Sequence, residues 1–198
     1  MKIKILLSSI LLTVVVVIAA VLIYKTGQKN RPSHPSLQAN AQTNLNSRQQ
    51  ALHQTFMQTM AQDKRNHTEA ELQEAEQLYQ VGNKKWGTPE AIQSLQTMIK
   101  KYPDLDRTGC AMLYLAQMSK GEDRARYLQN CIDDYNGCFY GDGVQVGAYA
   151  RFLLAQDCRS QGDSQKADSL STEIKTDYAG AIDHQGNLLV DSLKTDSK

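Results

Sequence analysis

The chain has 198 residues, of which 41% are hydrophobic and 22% charged, with a formal net charge of +1. The charges are unevenly placed: residues 25–66 carry six Lys or Arg against Asp63 alone, a net +5, whereas residues 67–198 carry fourteen basic against twenty acidic residues, a net −6. An acidic downstream part argues against nucleic acid as a partner, and the length leaves room for one compact domain of about 130 residues after the N-terminal segments.

The first feature in chain order is the run Ile5–Tyr24, which holds no charged residue and is bracketed by Lys2 and Lys4 on one side and Lys25, Lys29 and Arg31 on the other. A helix of this length rises roughly 30 Å, the thickness of a hydrocarbon core. The apolar stretch exceeds the h-region of a cleaved signal peptide and continues past the small pair Ala19-Ala20, so residues 1–25 read as an uncleaved signal anchor. The short N-tail and polar downstream tether favour an N-in, C-out orientation, placing the rest of the chain on the extracytoplasmic face of a bacterial inner membrane. Residues 26–46 are rich in Gln, Asn and Ser with Pro32 and Pro35, and read as a disordered linker. The basic flank reads first as a solvated tether whose charges keep it soluble, and second as a segment resting on anionic headgroups.

Periodicity begins at residue 47. Leu52, Phe56 and Met60 recur at i, i+4 and i+8, predicting an amphipathic lead-in helix within 47–66. Thr68 and Glu71 form a capping-box pair that opens a helix carrying Leu72, Ala75, Leu78 and Tyr79 and breaking near Gly82. Thr88-Pro89 opens a second helix, with Ala91, Ile92, Leu95, Met98, Ile99 and Tyr102 on its stripe and Pro103 at its end. Two antiparallel helices are therefore expected. The pattern returns: Leu95, Ile99 and Tyr102 are echoed by Leu128, Ile132 and Tyr135, and Leu115-Ala116-Gln117 by Leu154-Ala155-Gln156. Hairpins are expected over 69–103, 104–136 and 145–180, with an inserted loop at 136–144, together a repeat region of 67–182. Residues 183–198, with Leu189, Val190 and Leu193, are expected to form a capping helix and a tail.

A period near 34 residues, a small residue early in the second helix (Ala91), a large one at Leu95 and Tyr102-Pro103 at its end resemble the tetratricopeptide repeat over roughly 69–180. Tyr79, Trp86 and Asn136 depart from that family's pattern. The resemblance implies an all-α fold: a right-handed stack of three helical hairpins with a concave groove, behind a transmembrane helix and a linker.

Chemistry is sparse. His34, His53, His67 and His184 lack zinc spacing, and Gly141, Gly143 and Gly147 do not match a dinucleotide fingerprint, so no metal, cofactor or catalytic residue is assigned. An enzyme using Cys138 and Asp142 is a distant third reading. Four cysteines on an exported domain invite disulfides. Cys110, Cys131 and Cys138 should lie at one end of the second hairpin, where one bridge could form, while Cys158 should lie at least 15 Å away, by about 1.5 Å per residue. Small buried thiols are the other reading.

These features point to a membrane-anchored, tetratricopeptide-like adaptor that binds a protein partner near the bilayer, like the tethered repeat proteins of envelope protein assembly or chaperoning. The candidate partner-binding residues are Tyr79, Tyr114 and Tyr149 on first helices, and Tyr140 and Asp142 in the insertion. The competing reading is a structural membrane protein that self-associates into homo-oligomers.

Overall fold

The computed structural model describes residues 35–193. The expected span Ile5–Tyr24 lies outside them, and among the described residues no helix is long and apolar enough to cross a membrane. Contacts gather the chain from Leu45 onward into one compact unit.

The described residues are all-helical. They form α1 (Pro35–Asn66), α2 (Glu69–Lys84), α3 (Pro89–Lys101), α4 (Asp106–Met118), α5 (Gly121–Asp133), α6 (Val146–Ser160), α7 (Ser164–Asp177) and the single turn α8 (Leu189–Ser192). Helix α1 begins at Pro35, twelve residues before the expected start at 47, and so includes part of the stretch read as a disordered linker. Proline suits that first position because its missing N–H has no partner in a first turn.

Local chemistry starts the later helices. The Thr68 hydroxyl accepts from the Glu71 N–H, and the Glu71 carboxylate accepts from the Thr68 N–H at 2.8 Å, which caps α2 reciprocally. Thr88 caps α3 ahead of Pro89, and Asp163 caps α7. Gly121 and Gly162 take positive φ of 55° and 84° at the α4–α5 and α6–α7 turns.

The pairs α2–α3, α4–α5 and α6–α7 pack as hairpins, α3 and α5 each lean on the next pair, and the first helices touch in sequence, α2 to α4 to α6. The register is set by small contacts. Gly82 gives room to Leu95, since a Cβ there would meet its side chain at 2.5 Å. The buried Ser94 hydroxyl donates to the Leu78 carbonyl at 2.8 Å, so a polar side chain sits in the core satisfied. Leu95, Met98, Leu113, Leu115 and Leu128 are fully enclosed in the main core. Arg124 reaches Asp157 at 2.6 Å and the Ala116 carbonyl, tying α5 to α6 and to the end of α4.

Two expectations are corrected. The segment 183–193 is not one capping helix: Ile182 and Leu188 form an antiparallel bridge around a loop, and only Leu189–Ser192 is helical. Leu189 and Leu193 nonetheless cover Phe152 and Ile174, closing a second, smaller core. Nor is the insertion unique. Phe139 and Gln145 form the same kind of bridge, and its hydrogen bonds recur 43 residues on. Val146 N–H to Cys138 carbonyl becomes Leu189 to Ala181, Tyr140 N–H to Val144 carbonyl becomes Asp183 to Asn187, and Gly143 N–H to Tyr140 carbonyl becomes Gly186 to Asp183. Gly143 and Gly186 occupy the same left-handed backbone, φ 90° and 83°. The repeating element is thus a tight loop that ends one hairpin and launches the next helix.

Candidate interaction groove

The five candidate residues lie in one continuous row. Tyr79 of α2 stacks on Tyr114 of α4 with ring centroids 5.1 Å apart, and the Arg107 guanidinium sits 4.6 Å from the Tyr79 ring centroid. Trp86, from the α2–α3 turn, meets Tyr114 edge-on at 5.1 Å. Tyr114 then reaches Tyr140 of the first loop at 5.8 Å. His184 of the second loop completes the row: its ring lies edge-on to Tyr140 at 4.9 Å and to Tyr149 of α6 at 5.3 Å, and its Nδ1 is 2.7 Å from the Asp142 carboxylate.

The members of this row play different parts. Tyr79 and Tyr140 are buried, and the Tyr140 hydroxyl donates to the Cys110 carbonyl at 3.1 Å, so both position the row rather than present it. Burial pushes both phenols well above their ordinary pKa, and neither ionises in neutral solution. Tyr114 and Tyr149 are half-buried, Asp142 is exposed, and Trp86 is 47% exposed. Burial raises the Asp142 carboxyl, but the hydrogen bonds from His184 and the Val144 N–H outweigh it and leave it below the usual carboxylate range. Trp86 and His184 were not singled out from sequence. The 43-residue echo sets His184 opposite Gly141 in the first loop, so the repeat gives its position but not its residue type.

Helix α1 lies beside this row. Leu52, Phe56, Met60 and Asp63 share one face, because eleven residues make close to three whole turns. Leu52 packs on Gly143, where a Cβ would come within 3.0 Å of its own, and the Phe56 ring approaches Gly141. Asp63, 8% exposed, accepts the Asp106 N–H at 3.2 Å and so caps α4 from another helix. Asp106 in turn accepts the Phe139 N–H at 2.8 Å, linking α1, α4 and the first loop through two carboxylates. Burial raises Asp63 above the usual range and pushes Asp106 up to about 6.

This joint borders a polar cleft of about 200 Å³ lined by Asp63, Asp104, Asp106 and Cys138. Asp63 also borders a second, mainly apolar cleft of about 280 Å³, lined by Met60, Leu72, Ala75, Leu105 and Arg107. Among the described residues no group of three or more His, Cys, Asp or Glu is arranged to hold a metal ion.

All four cysteines are free thiols. Cys110 and Cys131 are buried and Cys138 half-buried, whereas Cys158 borders a separate cleft with Lys120, Gly121 and Asp163. Burial pushes Cys138 up to about 12, the opposite of the depressed pKa that activates a nucleophilic thiol. What the row and its flanking helix can do is bind: a rigid aromatic strip, an exposed indole, and an acidic joint at a helix start.

Compared with protein-family models, with curated proteins and with solved structures, the chain matches none of them significantly.

Proposed function

We propose that the chain is a membrane-anchored adaptor whose helical-repeat domain, tetratricopeptide-like in its scaffold, holds a protein partner near the bilayer on the extracytoplasmic side, in envelope protein assembly or chaperoning. The observation that carries this reading is the unbroken aromatic row from Arg107 through Tyr79, Tyr114 and Tyr140 to His184 and Tyr149, with Trp86 projecting from it into solvent. Rings stiffened by one another lose little freedom on binding, and tryptophan and tyrosine are the usual anchors of interfaces. The apolar run Ile5–Tyr24 supports the anchor, and the acidic balance of residues 67–198 supports a protein rather than a nucleic-acid partner.

The test is site-specific photo-crosslinking in the native membrane, with benzoylphenylalanine in place of Trp86. An adduct with one other protein is expected, in a domain that external protease digests in spheroplasts. Adducts formed solely with a second copy of the chain would replace the adaptor by the self-associating reading. Protection of the domain until lysis would refute its placement.

A further inference from the structure

The occupant of a seat describes what the seat accepts. Helix α1 is held to the repeat region by Leu52, Phe56 and Met60 at i, i+4 and i+8 and by Asp63 at i+11, which caps α4 through the Asp106 N–H. Its hold is incomplete. The three apolar side chains are each only half-buried, and clefts of about 280 Å³ and 200 Å³ remain beside Met60 and Asp63. Every void along a helix forfeits contacts that a better-fitting side chain would make. His67 and Thr68 separate the two helices, and α2 carries its own capping box, so the start of α2 does not rely on α1; the His67 ring also lies 3.2 Å from the Asp104 carboxylate.

From this geometry we propose that the surface formed by Leu72, Ala75, the start of α4 and the 139–144 loop is a seat for a partner's amphipathic helix, one with large apolar side chains at i, i+4 and i+8 and a side-chain oxygen acceptor at i+11, for which α1 is the resident competitor. This rests on the adaptor reading and names the class of its partner. An acceptor is required because Asp63 receives the Asp106 N–H, one of the helix-start donors that lack an intrahelical partner. Apparent affinity for such a helix is scaled by the fraction of chains in which α1 is away.

The probe is a fluorescein-labelled peptide with the chain's own sequence 47–66, titrated against the full chain in nanodiscs. A variant carrying Leu52→Asp and Phe56→Asp unseats its own α1, and the peptide should bind it at least tenfold more tightly than the unaltered chain. A peptide with alanine at the position of Asp63 should lose most of that affinity. Equal affinity for both chains, or indifference to the loss of the peptide's acceptor, would overturn the seat. A second measurement needs no variant: in the unaltered chain, amides of residues 50–62 should exchange at least a hundredfold faster than those in the middle of α4. Equal protection would sink the proposal. A dimer of the unaltered chain that dissolves in the double variant would assign the seat to a second copy and overturn it likewise. A photo-adduct at position 86 without peptide binding keeps the adaptor reading and discards the seat. Peptide discrimination without an adduct does the reverse.

Discussion

Gly147 stands so close to Asn136 that a Cβ on it would lie 2.6 Å from the Asn136 Cα and closer still to its side-chain oxygen. Asn136 is the junction of the last two hairpins. Its side-chain oxygen accepts from Arg151 and from the Tyr178 hydroxyl, both at 2.8 Å, and its carbonyl accepts from Gln145 at 3.0 Å. Because the obstacle includes backbone, Gly147→Ala should cost about 2–3 kcal/mol by overpacking. That lowers the melting temperature by about 6–9 °C for a domain of this size. Gly137→Ala, which meets nothing within 4 Å, is the matched control and should change it by less than about 2 °C. Circular-dichroism melts of the two variants decide the matter.

The Asp106 carboxyl gives the fold a pH dependence of definite sign. Burial, with Asp63 nearby, raises it to about 6, against the opposing hydrogen bond from Phe139 and the charge of Arg107. Its folded pKa is above the ordinary 3.8, so the native state holds a proton that the unfolded chain releases, and this group destabilises the fold as pH rises from about 4 to 6. The full cost above that window is about 3 kcal/mol at 1.36 kcal/mol per pH unit. Urea unfolding should therefore show higher stability at pH 5 than at pH 7.5. Asp106→Asn, whose amide oxygen can still accept the Phe139 N–H, should flatten that difference. An unchanged profile in the variant would contradict this assignment.

Asp63 tests the cap between helices. Asp63→Ala leaves the Asp106 N–H without its acceptor and should cost about 1 kcal/mol. Asp63→Asn keeps an acceptor and sheds a charge that burial disfavours, so it should cost less. Faster amide exchange at Asp106 in the alanine variant alone would locate the effect at the start of α4.

The hairpins were legible because their signals are local. Thr68 with Glu71 and Thr88 with Pro89 name helix starts without reference to anything distant, and α2 and α3 begin where those pairs place them. The same held for the apolar stripe of Leu95 and Met98. Helix α1 was underestimated because Gln, Asn and Ser before residue 47 carry no apolar period, though they do not forbid a helix after Pro35. The closing segment misled for the opposite reason. Leu189, Val190 and Leu193 are spaced as on a helix, but the turn they occupy is the end of a loop whose twin starts α6. That twin was hidden because only Tyr135, Gly137 and Gly143 recur in kind, as Tyr178, Gly180 and Gly186, while the rest of the loop changes. The five candidate residues do meet, yet the histidine that joins three of them is 35 residues or more away in sequence, and no local pattern marks it.

Trp86 separates the demands of folding from those of binding. It is 47% exposed and touches the row only edge-on at Tyr114, so Trp86→Ala should alter stability by no more than about 0.5 kcal/mol. Tyr140→Phe, by contrast, strips a buried hydroxyl from the Cys110 carbonyl and should cost about 1 kcal/mol. The order reverses for the partner. An exposed indole at the end of a stiff aromatic strip is where truncation costs most, about 2 kcal/mol or roughly thirtyfold in affinity, whereas Tyr140 is shielded by its neighbours. Pull-down of the photo-crosslinked neighbour, measured alongside urea unfolding for both variants, checks the two halves together. A Trp86→Ala chain that retains its neighbour at full yield would remove the indole from the interface.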